Sequence, residues 1–364
     1  MKNINTILNE DMKSIHASLA GKIDSFYEST ILITGCAGFL GYYLTNYFTH
    51  FSEELKLRRL ILLDNFLLGK PDWLEDLGNE YGTKILLRSF DISSDDLSTI
   101  PELENVSYVI HAASIASPTY YRKYPIETLN ANVWGLKKLL DLYRNSKNLK
   151  GFLYFSSSEI YGDPSWDNIP THEEYRGNVS CHGPRACYDE SKRFCETLCW
   201  VYSEQYGMPL TVARPFNNYG PGMNIHDLRL PADFAKSVIE GHDLEILSDG
   251  SPTRTFCYIS DAVTGYLLCL LHGKYNYFNI GNSSPEISVN DFAKIFCKNS
   301  LDIFGFEISA KFQKSRDPNY LKDNPNRRCP DVSKALDILG FEAKVSVEDG
   351  VSRYLLFLKE EMGL

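Results

Sequence analysis

The sequence has no Cys-x-x-Cys pair and no cluster of histidines, although nine cysteines are present: Cys36, Cys181, Cys187, Cys195, Cys199, Cys257, Cys269, Cys297 and Cys329. Cys195 and Cys199 stand four apart in a predicted helix and share a face, but no further ligand accompanies them, so no metal site is expected. An odd number of thiols without a framework reads as free cysteine in a reducing compartment. No apolar run is long enough to span a bilayer. Met1 to Thr30 lacks the unbroken apolar stretch of a secretion signal. Internal repeats and low-complexity tracts are also absent. Positive charge is in deficit, with 37 Lys and Arg against 47 Asp and Glu and a net charge of −10. That balance argues against nucleic acid or an anionic membrane as the main partner, while leaving room for a locally basic pocket. The expectation is a cytoplasmic globular protein whose 364 residues suit one large domain and a smaller one.

Short β-branched and apolar runs do occur, and they are regularly placed. Ile31–Thr34, Leu60–Leu63, Ile85–Leu87, Tyr108–Ile110, Phe152–Phe155 and Leu210–Ala213 read as strands. Helical patterns separate several of them, notably about Pro125 to Arg144 and about Cys187 to Tyr206. Strands alternating with helices predict βαβ units and a parallel sheet, and runs that are apolar throughout predict a sheet covered on both faces. The fold class is therefore α/β, a Rossmann-type doubly wound sheet with a smaller C-terminal α/β domain. The expected boundaries are a helical extension over 1–29, a dinucleotide domain over 30–214 with a return around 255–275, and a substrate domain over 215–364. In the extension, Ile4, Leu8, Met12, Ile15, Leu19, Ile23 and Phe26 recur every three or four residues, as in an amphipathic covering helix.

Gly35, Gly38 and Gly41 form a GxxGxxG spacing between the first strand and the first helix, with Asp64 closing the second strand. In that setting glycines permit a tight turn, close approach of a pyrophosphate, and close helix–strand packing. A carboxylate at the second strand accepts hydrogen bonds from ribose hydroxyls and repels a 2′-phosphate, so NAD is expected rather than NADP. Tyr188 and Lys192 form a YxxxK pair on one helix face. A neighbouring ammonium favours the phenolate, making Tyr188 a candidate base for a sugar hydroxyl. Ser156, Ser157 and Ser158 follow a strand at the edge where ligands of open sheets bind.

With Gly35 to Gly41, Asp64-Asn65, His111-Ala112-Ala113-Ser114, Ser157, Tyr188 and Lys192, the sequence resembles the extended short-chain dehydrogenase/reductase (NAD-dependent epimerase/dehydratase) family from about Ser29 to Phe357. Ser158 to Pro164 and Gly183 to Arg193, with Ala116-Ser117-Pro118 and Tyr121, look most like its UDP-glucuronate decarboxylase (UDP-xylose synthase) branch. The resemblance implies a catalytic set of Ser157, Tyr188, Lys192, Glu159 and Arg254. It implies a cofactor site of Gly35, Ala37, Gly38, Phe39, Leu40, Asp64, Asn65, Asp91, Ile92, Ala112, Ala113, Ser114, Asn132 and Pro215, together with Tyr188 and Lys192. It implies a UDP-sugar site of Ser117, Tyr121, Ser158, Glu159, Arg185, Asn217, Arg229, Arg254, Tyr258 and Arg328. Carbon-4 oxidation followed by decarboxylation is the implied chemistry. A 4-epimerase, a 4,6-dehydratase and a catalytically silent NAD-binding protein stand as alternatives. Gly222, Asn130 and Ile115 depart from the decarboxylase pattern where substrate is read. Family members pair through two helices per subunit, which implies a homodimer, with Leu139, Leu198 and Tyr202 on the seam.

Overall fold

The computed structural model describes residues 5–314 and 325–364. Seven parallel strands form the main sheet, in the spatial order Asn276–Ile280, Leu210–Pro215, Gly151–Phe155, Val106–His111, Thr30–Thr34, Arg59–Asp64 and Ile85–Ser89. The two strands beside Thr30–Thr34 lead away in opposite directions along the chain, so the order reverses between Thr30–Thr34 and Val106–His111. That is where the carboxyl ends of an open sheet leave a crevice. The six strands expected from apolar runs are all present. The seventh, Asn276–Ile280, pairs with Leu210–Pro215; its alternating Asn and aromatic residues lack the uniformly apolar look of the others.

Two apolar layers cover the sheet. One is made by Leu136–Tyr143 and Ala186–Tyr206 with the sheet residues beneath them. The other is made by Phe39–His50, Ile259–Leu271 and the N-terminal extension. In Ile259–Leu271 every residue but the last is buried. Such a helix needs cover on all sides, and the extension supplies part of it. Asn5 caps the extension's helix, Thr6–Ser18, by accepting from the amides of Ile7 at 3.0 Å and Leu8 at 3.3 Å. Met12, Ile15 and Leu19 are fully buried, and Phe26 follows in a short 3₁₀ turn. Ile4, the first member of that periodicity, lies outside the described residues.

The helix expected over about 125–144 is interrupted. An α segment Pro125–Leu129 opens into a π turn, Asn130–Gly135, before Leu136–Tyr143 resumes α geometry. A π turn frees a backbone carbonyl, and here the Asn132 carbonyl accepts from the Cys195 thiol at 3.2 Å.

Small sheets organise the C-terminal part. Asn218–Tyr219 pairs with Cys257–Tyr258, and Leu244–Ile246 with Ala310–Phe312. Thr253–Arg254 pairs with both Ile287–Ser288 and Arg327–Arg328. Among the described residues, no helix is long and apolar enough to cross a membrane.

Candidate active site

The glycine-rich loop sits in the crevice at the order reversal. Gly35 has φ +76°, and a Cβ there would lie 2.6 Å from the Ala112 and Ala113 backbone. A Cβ on Gly41 would lie 2.3 Å from the Gly35 carbonyl. Both positions need glycine because backbone meets backbone. At Gly38 an added Cβ would meet only the Gly35 carbonyl, at 3.4 Å, so the loop stays open at the N-terminus of helix Phe39–His50. Phe39 and Leu40 form that helix's first turn. Open space at a helix N-terminus suits a pyrophosphate.

Asp64 ends the second strand. Its oxygens accept from the amides of Ala37 at 3.0 Å and Phe66 at 2.8 Å. Burial raises its carboxyl, against those two amide bonds. Each oxygen keeps a second lone pair for a ribose hydroxyl. Asn65 donates to Asp91 at 3.1 Å. The Ile92 side chain lies against Gly135, where a Cβ would meet it at 2.6 Å. Ala112 donates to the Thr34 carbonyl at 3.0 Å. The hydroxyl of Ser114 is buried without a partner among the described residues. An open glycine loop, a carboxylate with spare lone pairs and an orphaned hydroxyl on one sheet edge together fit a dinucleotide. Pro215 ends the strand on the far side of that edge.

Ser157 directly follows strand Gly151–Phe155 and Ser156, and its hydroxyl caps a 3₁₀ turn by accepting from the Glu159 amide at 3.2 Å. Ser158 is buried in that turn. Tyr188, on helix Ala186–Tyr206, is hydrogen-bonded to Ser157; burial pushes its phenol up to about 12 and this bond pulls it down. Its ring stacks on Tyr121 with centroids 5.1 Å apart. Lys192 Nζ donates to the Phe155 carbonyl at 2.7 Å and lies 5.6 Å from the centre of the Tyr188 ring. Burial pushes Lys192 down to about 8. Within the protein, then, the groups that lower the Tyr188 phenol are the Ser157 hydroxyl and, after it, the Arg229 charge, while the lysine is seated on the strand. Asn132 stands behind this row, donating to Ser191 Oγ at 2.8 Å. His111 bonds Thr34 at 2.8 Å, and burial, then the Lys192 charge, pushes it down to about 3, so it is neutral.

Three arginines converge beside that row. Arg185 lies 2.5 Å from Glu159 and 3.7 Å from Asp189. Arg328 forms a two-pronged pair with Glu159, Nη2 to Oε2 at 2.7 Å. Burial alone would raise the Glu159 carboxyl, but Arg185 and then Arg328 outweigh it and hold the group well below the usual carboxylate range. Glu159 is therefore ionised. Arg254 donates to the carbonyls of Thr253 at 2.7 Å and Pro325 at 2.6 Å. Burial, then the Arg328 charge, pushes Arg254 down to about 9. The three guanidiniums share this corner with three carboxylates, Glu159, Asp189 and, beside Arg254, Asp163.

Arg229 pairs with Asp227, Nη2 to Oδ2 at 2.9 Å, and lies over the Phe39 ring at 5.9 Å. The segment holding them is pinned by Ser117, whose hydroxyl donates to the Asp227 carbonyl at 2.8 Å. Asn217, at φ +40°, donates to the Thr255 carbonyl at 2.8 Å. Asp227 and Asp189 were not singled out by spacing; each lies within four residues of an arginine that was.

Tyr258 is a correction. It is buried, and its hydroxyl donates to Asp11 of the N-terminal helix at 2.8 Å. Tyr43 at 2.7 Å and Arg353 at 2.8 Å also donate to Asp11. This tyrosine joins the extension to the body and takes no part in the sugar-nucleotide cluster.

Asp233, one turn into the helix that begins after Arg229, has its carboxyl pushed up to about 6 by burial and then by the Asp227 charge. A raised carboxyl costs stability as pH rises from its unfolded range through 6. Asp233→Asn is accordingly expected to raise the melting temperature at pH 8, by on the order of 1 kcal/mol of stability, with the gain vanishing near pH 4. Thermal melts at both pH values check this.

A strand–glycine loop–helix unit, an acid at the second strand, and a Ser–Tyr–Lys row at the carboxyl edge define an NAD-dependent short-chain dehydrogenase type of enzyme. The chain belongs to the NAD dependent epimerase/dehydratase family, whose sequence profile matches residues 31–281. UDP-glucuronic acid decarboxylase 1 of Xenopus tropicalis is 35% identical over 333 residues, covering 91% of this chain and 72% of that one. UDP-glucuronic acid decarboxylase 6 of Arabidopsis thaliana is 34% identical over 331 residues, covering 90% and 88%. Among solved structures, UDP-glucuronic acid 4-epimerase from Bacillus cereus, in complex with UDP-glucuronic acid and NAD, aligns with a TM-score of 0.72 at 26% identity, covering 91% and 99%. UDP-glucose 4-epimerase from Thermotoga maritima aligns with a TM-score of 0.78 at 25% identity, covering 92% and 99%.

Proposed function

We propose that the protein converts UDP-glucuronate to UDP-xylose, oxidising carbon 4, releasing CO2 and reducing carbon 4 again. The observation that carries this reading is the arginine cluster beside Ser157 and Tyr188. A neutral hexose has no use for three converging guanidiniums, whereas a carboxylate on carbon 5 can pair with them. Arg254 stands in the same small sheet as Arg328 and opposite it in register, so both guanidiniums are offered to a carboxylate entering there. The decarboxylases of Xenopus and Arabidopsis support the same reading.

Bound NAD would supply a reversible hydride acceptor for carbon 4, which leaves the reaction with no net redox change. Gly35, Ala37, Gly38, Phe39, Leu40, Asp64, Asn65, Asp91, Ala112, Ala113, Ser114 and Pro215 would hold it on the sheet edge. Tyr188, hydrogen-bonded to Ser157, takes the proton from the carbon-4 hydroxyl. The resulting ketone is β to the carboxylate, so loss of CO2 leaves an enolate. Ser157 and Tyr188 donate hydrogen bonds to the enolate oxygen where the charge develops. Glu159, ionised between two arginines, organises the pocket, and Arg254 is the candidate donor of the proton to carbon 5. Arg229 and Asn217 hold the nucleotide side.

The alternative is 4-epimerisation of the same uronate, favoured by the Bacillus cereus enzyme. A 4,6-dehydratase is disfavoured by Ser158, where that branch carries an acid. Incubation with UDP-glucuronate labelled in the carboxyl group separates the readings. Decarboxylation gives labelled CO2 and a UDP-pentose, epimerisation gives a product of unchanged mass, and dehydration loses water. Unchanged mass overturns the proposal.

We also propose a homodimer in a reducing compartment, the cytoplasm, where nine unpaired cysteines are stable. The seam differs from the one expected. Leu139 is fully buried inside the subunit, and Tyr202 is buried against Asp141, to which its hydroxyl donates at 2.6 Å. On the same two helical stretches Ile126, Trp134, Phe194 and Trp200 are exposed, the last at 51%. An aromatic face of that kind calls for cover. Light scattering should give twice the chain mass for the wild type and one chain mass for a Phe194→Glu, Trp200→Glu double variant.

A further inference from the structure

We propose that Glu286 is a positioning residue, which places Arg254 and Arg328 in the active site by fixing the register of a three-stranded sheet. The inference rests on the functional reading above only for the identity of the substrate. Strand Thr253–Arg254 is the middle strand, with Ile287–Ser288 antiparallel on one side and Arg327–Arg328 parallel on the other. In the parallel pair Thr253 stands opposite Arg327, and Arg254 opposite Arg328. Successive side chains of a strand point to opposite faces. Thr253 and Arg327 thus share one face, and Arg254 and Arg328 share the other.

Each face carries its own glutamate. On the inner face Glu159 receives Arg328. On the outer face Glu286 accepts from Arg327 Nε at 2.9 Å and Nη2 at 2.6 Å, and from the Thr253 hydroxyl. One carboxylate therefore clasps both strands across the ladder. The outer guanidinium is further held over the Trp166 ring at 4.8 Å.

The need for such a clasp follows from the sequence. Arg327 and Arg328 are adjacent and chemically equal. A slip of one residue sends every side chain to the opposite face. In two-residue strands few backbone bonds oppose that slip. A slipped strand would present Arg327 to Glu159 one position out of place and turn Arg328 to the outside. Glu286, itself held by the Thr253 hydroxyl, binds only one of the two arginines on the outer face, which leaves the other for the site. Arg254, next to Thr253, donates to the carbonyls of Pro325 and Asn326, so its placement depends on the same register. Among the described residues Glu286 is bonded to Arg327 and Thr253, not to Glu159, Ser157 or Tyr188, so the effect passes through the strands.

The test compares wild type with Glu286→Gln, Glu286→Asp and Thr253→Val, each with NAD supplied, on whichever UDP-sugar the wild type turns over. Glu286→Gln is expected to lower kcat by on the order of 10- to 100-fold, the loss typical of a small misplacement of reacting groups. NAD affinity should stay within about twofold, because the cofactor loop is on another sheet. Glu286→Asp should restore part of the rate. In an Arg328→Lys background the Glu286→Gln loss should largely disappear, since both changes act on one placement. Losses that multiply, or a kcat within twofold of wild type, overturn the inference. Should Glu286→Gln fail to fold, Thr253→Val, which removes one hydroxyl, must lower kcat at least threefold with the same non-additivity. A wild type active only on a neutral UDP-sugar would sink the decarboxylase reading and leave this test intact on that sugar.

Discussion

Replacing Tyr188 with phenylalanine is expected to cut turnover by about a thousandfold, within the usual range for loss of a general acid–base group, while the melting temperature and NAD affinity hardly change. The stack on Tyr121 uses the ring, and phenylalanine keeps the ring. What disappears is a buried hydroxyl whose bond to Ser157 is the larger of two lowering influences on its ionisation, the Arg229 charge being the other. Ser157 retains the Glu159 amide as a partner, so the change opens little unsatisfied polarity. Turnover, a circular-dichroism melt and a cofactor titration measured together check the claim. Turnover within tenfold of wild type would remove Tyr188 from proton transfer.

Glu159→Gln should damage both stability and activity. Removing one partner from a buried ion pair costs about 3–5 kcal/mol, because the remaining charge is left uncompensated. Here two buried guanidiniums, Arg185 and Arg328, lose the same partner. The pH dependence has a definite sign. A carboxyl held below its ordinary range contributes stability that is complete above that range and is lost as pH falls through its depressed value. The gap in unfolding free energy between wild type and variant should therefore be full at pH 7 and narrow in strong acid. For activity, carbon-4 oxidation should survive better than CO2 release, because the disordered groups lie on the carbon-5 side. Absorbance of reduced cofactor would then build up in the variant during turnover. Normal pentose formation would exclude Glu159 from the mechanism.

The fold was readable wherever a local signal dominated. Six strands announced themselves because their runs are apolar throughout, as double-sided burial demands. The strand Asn276–Ile280 did not, since Asn276, Tyr277 and Asn279 take side-chain bonds at a sheet edge. The π turn at Asn130–Gly135 left no mark that composition or spacing would register. At the site, glycine spacing and YxxxK identify residues one by one. They do not reveal that Glu159 and Arg328, 169 positions apart, share a salt bridge that, with Arg185, holds the acid ionised. Tyr258 was implied by the resemblance alone; it stands on a different strand from Arg254, Cys257–Tyr258, and its bond to Asp11 holds it in the interior. Leu139 misled for a different reason. A helix with one exposed and one buried apolar side gives a single periodicity, and only packing tells which side is which.

The buried Asp11 has an implication for how the chain tolerates trimming. Three donors from distant parts of the sequence, Tyr43, Tyr258 and Arg353, end on that one carboxylate. A protease cut that shed Thr6–Ser18 would strand all three inside an apolar layer and bare the flank of Ile259–Leu271. The shortened protein would tend to stick to itself, even though every residue that touches sugar or nucleotide remained in its sequence.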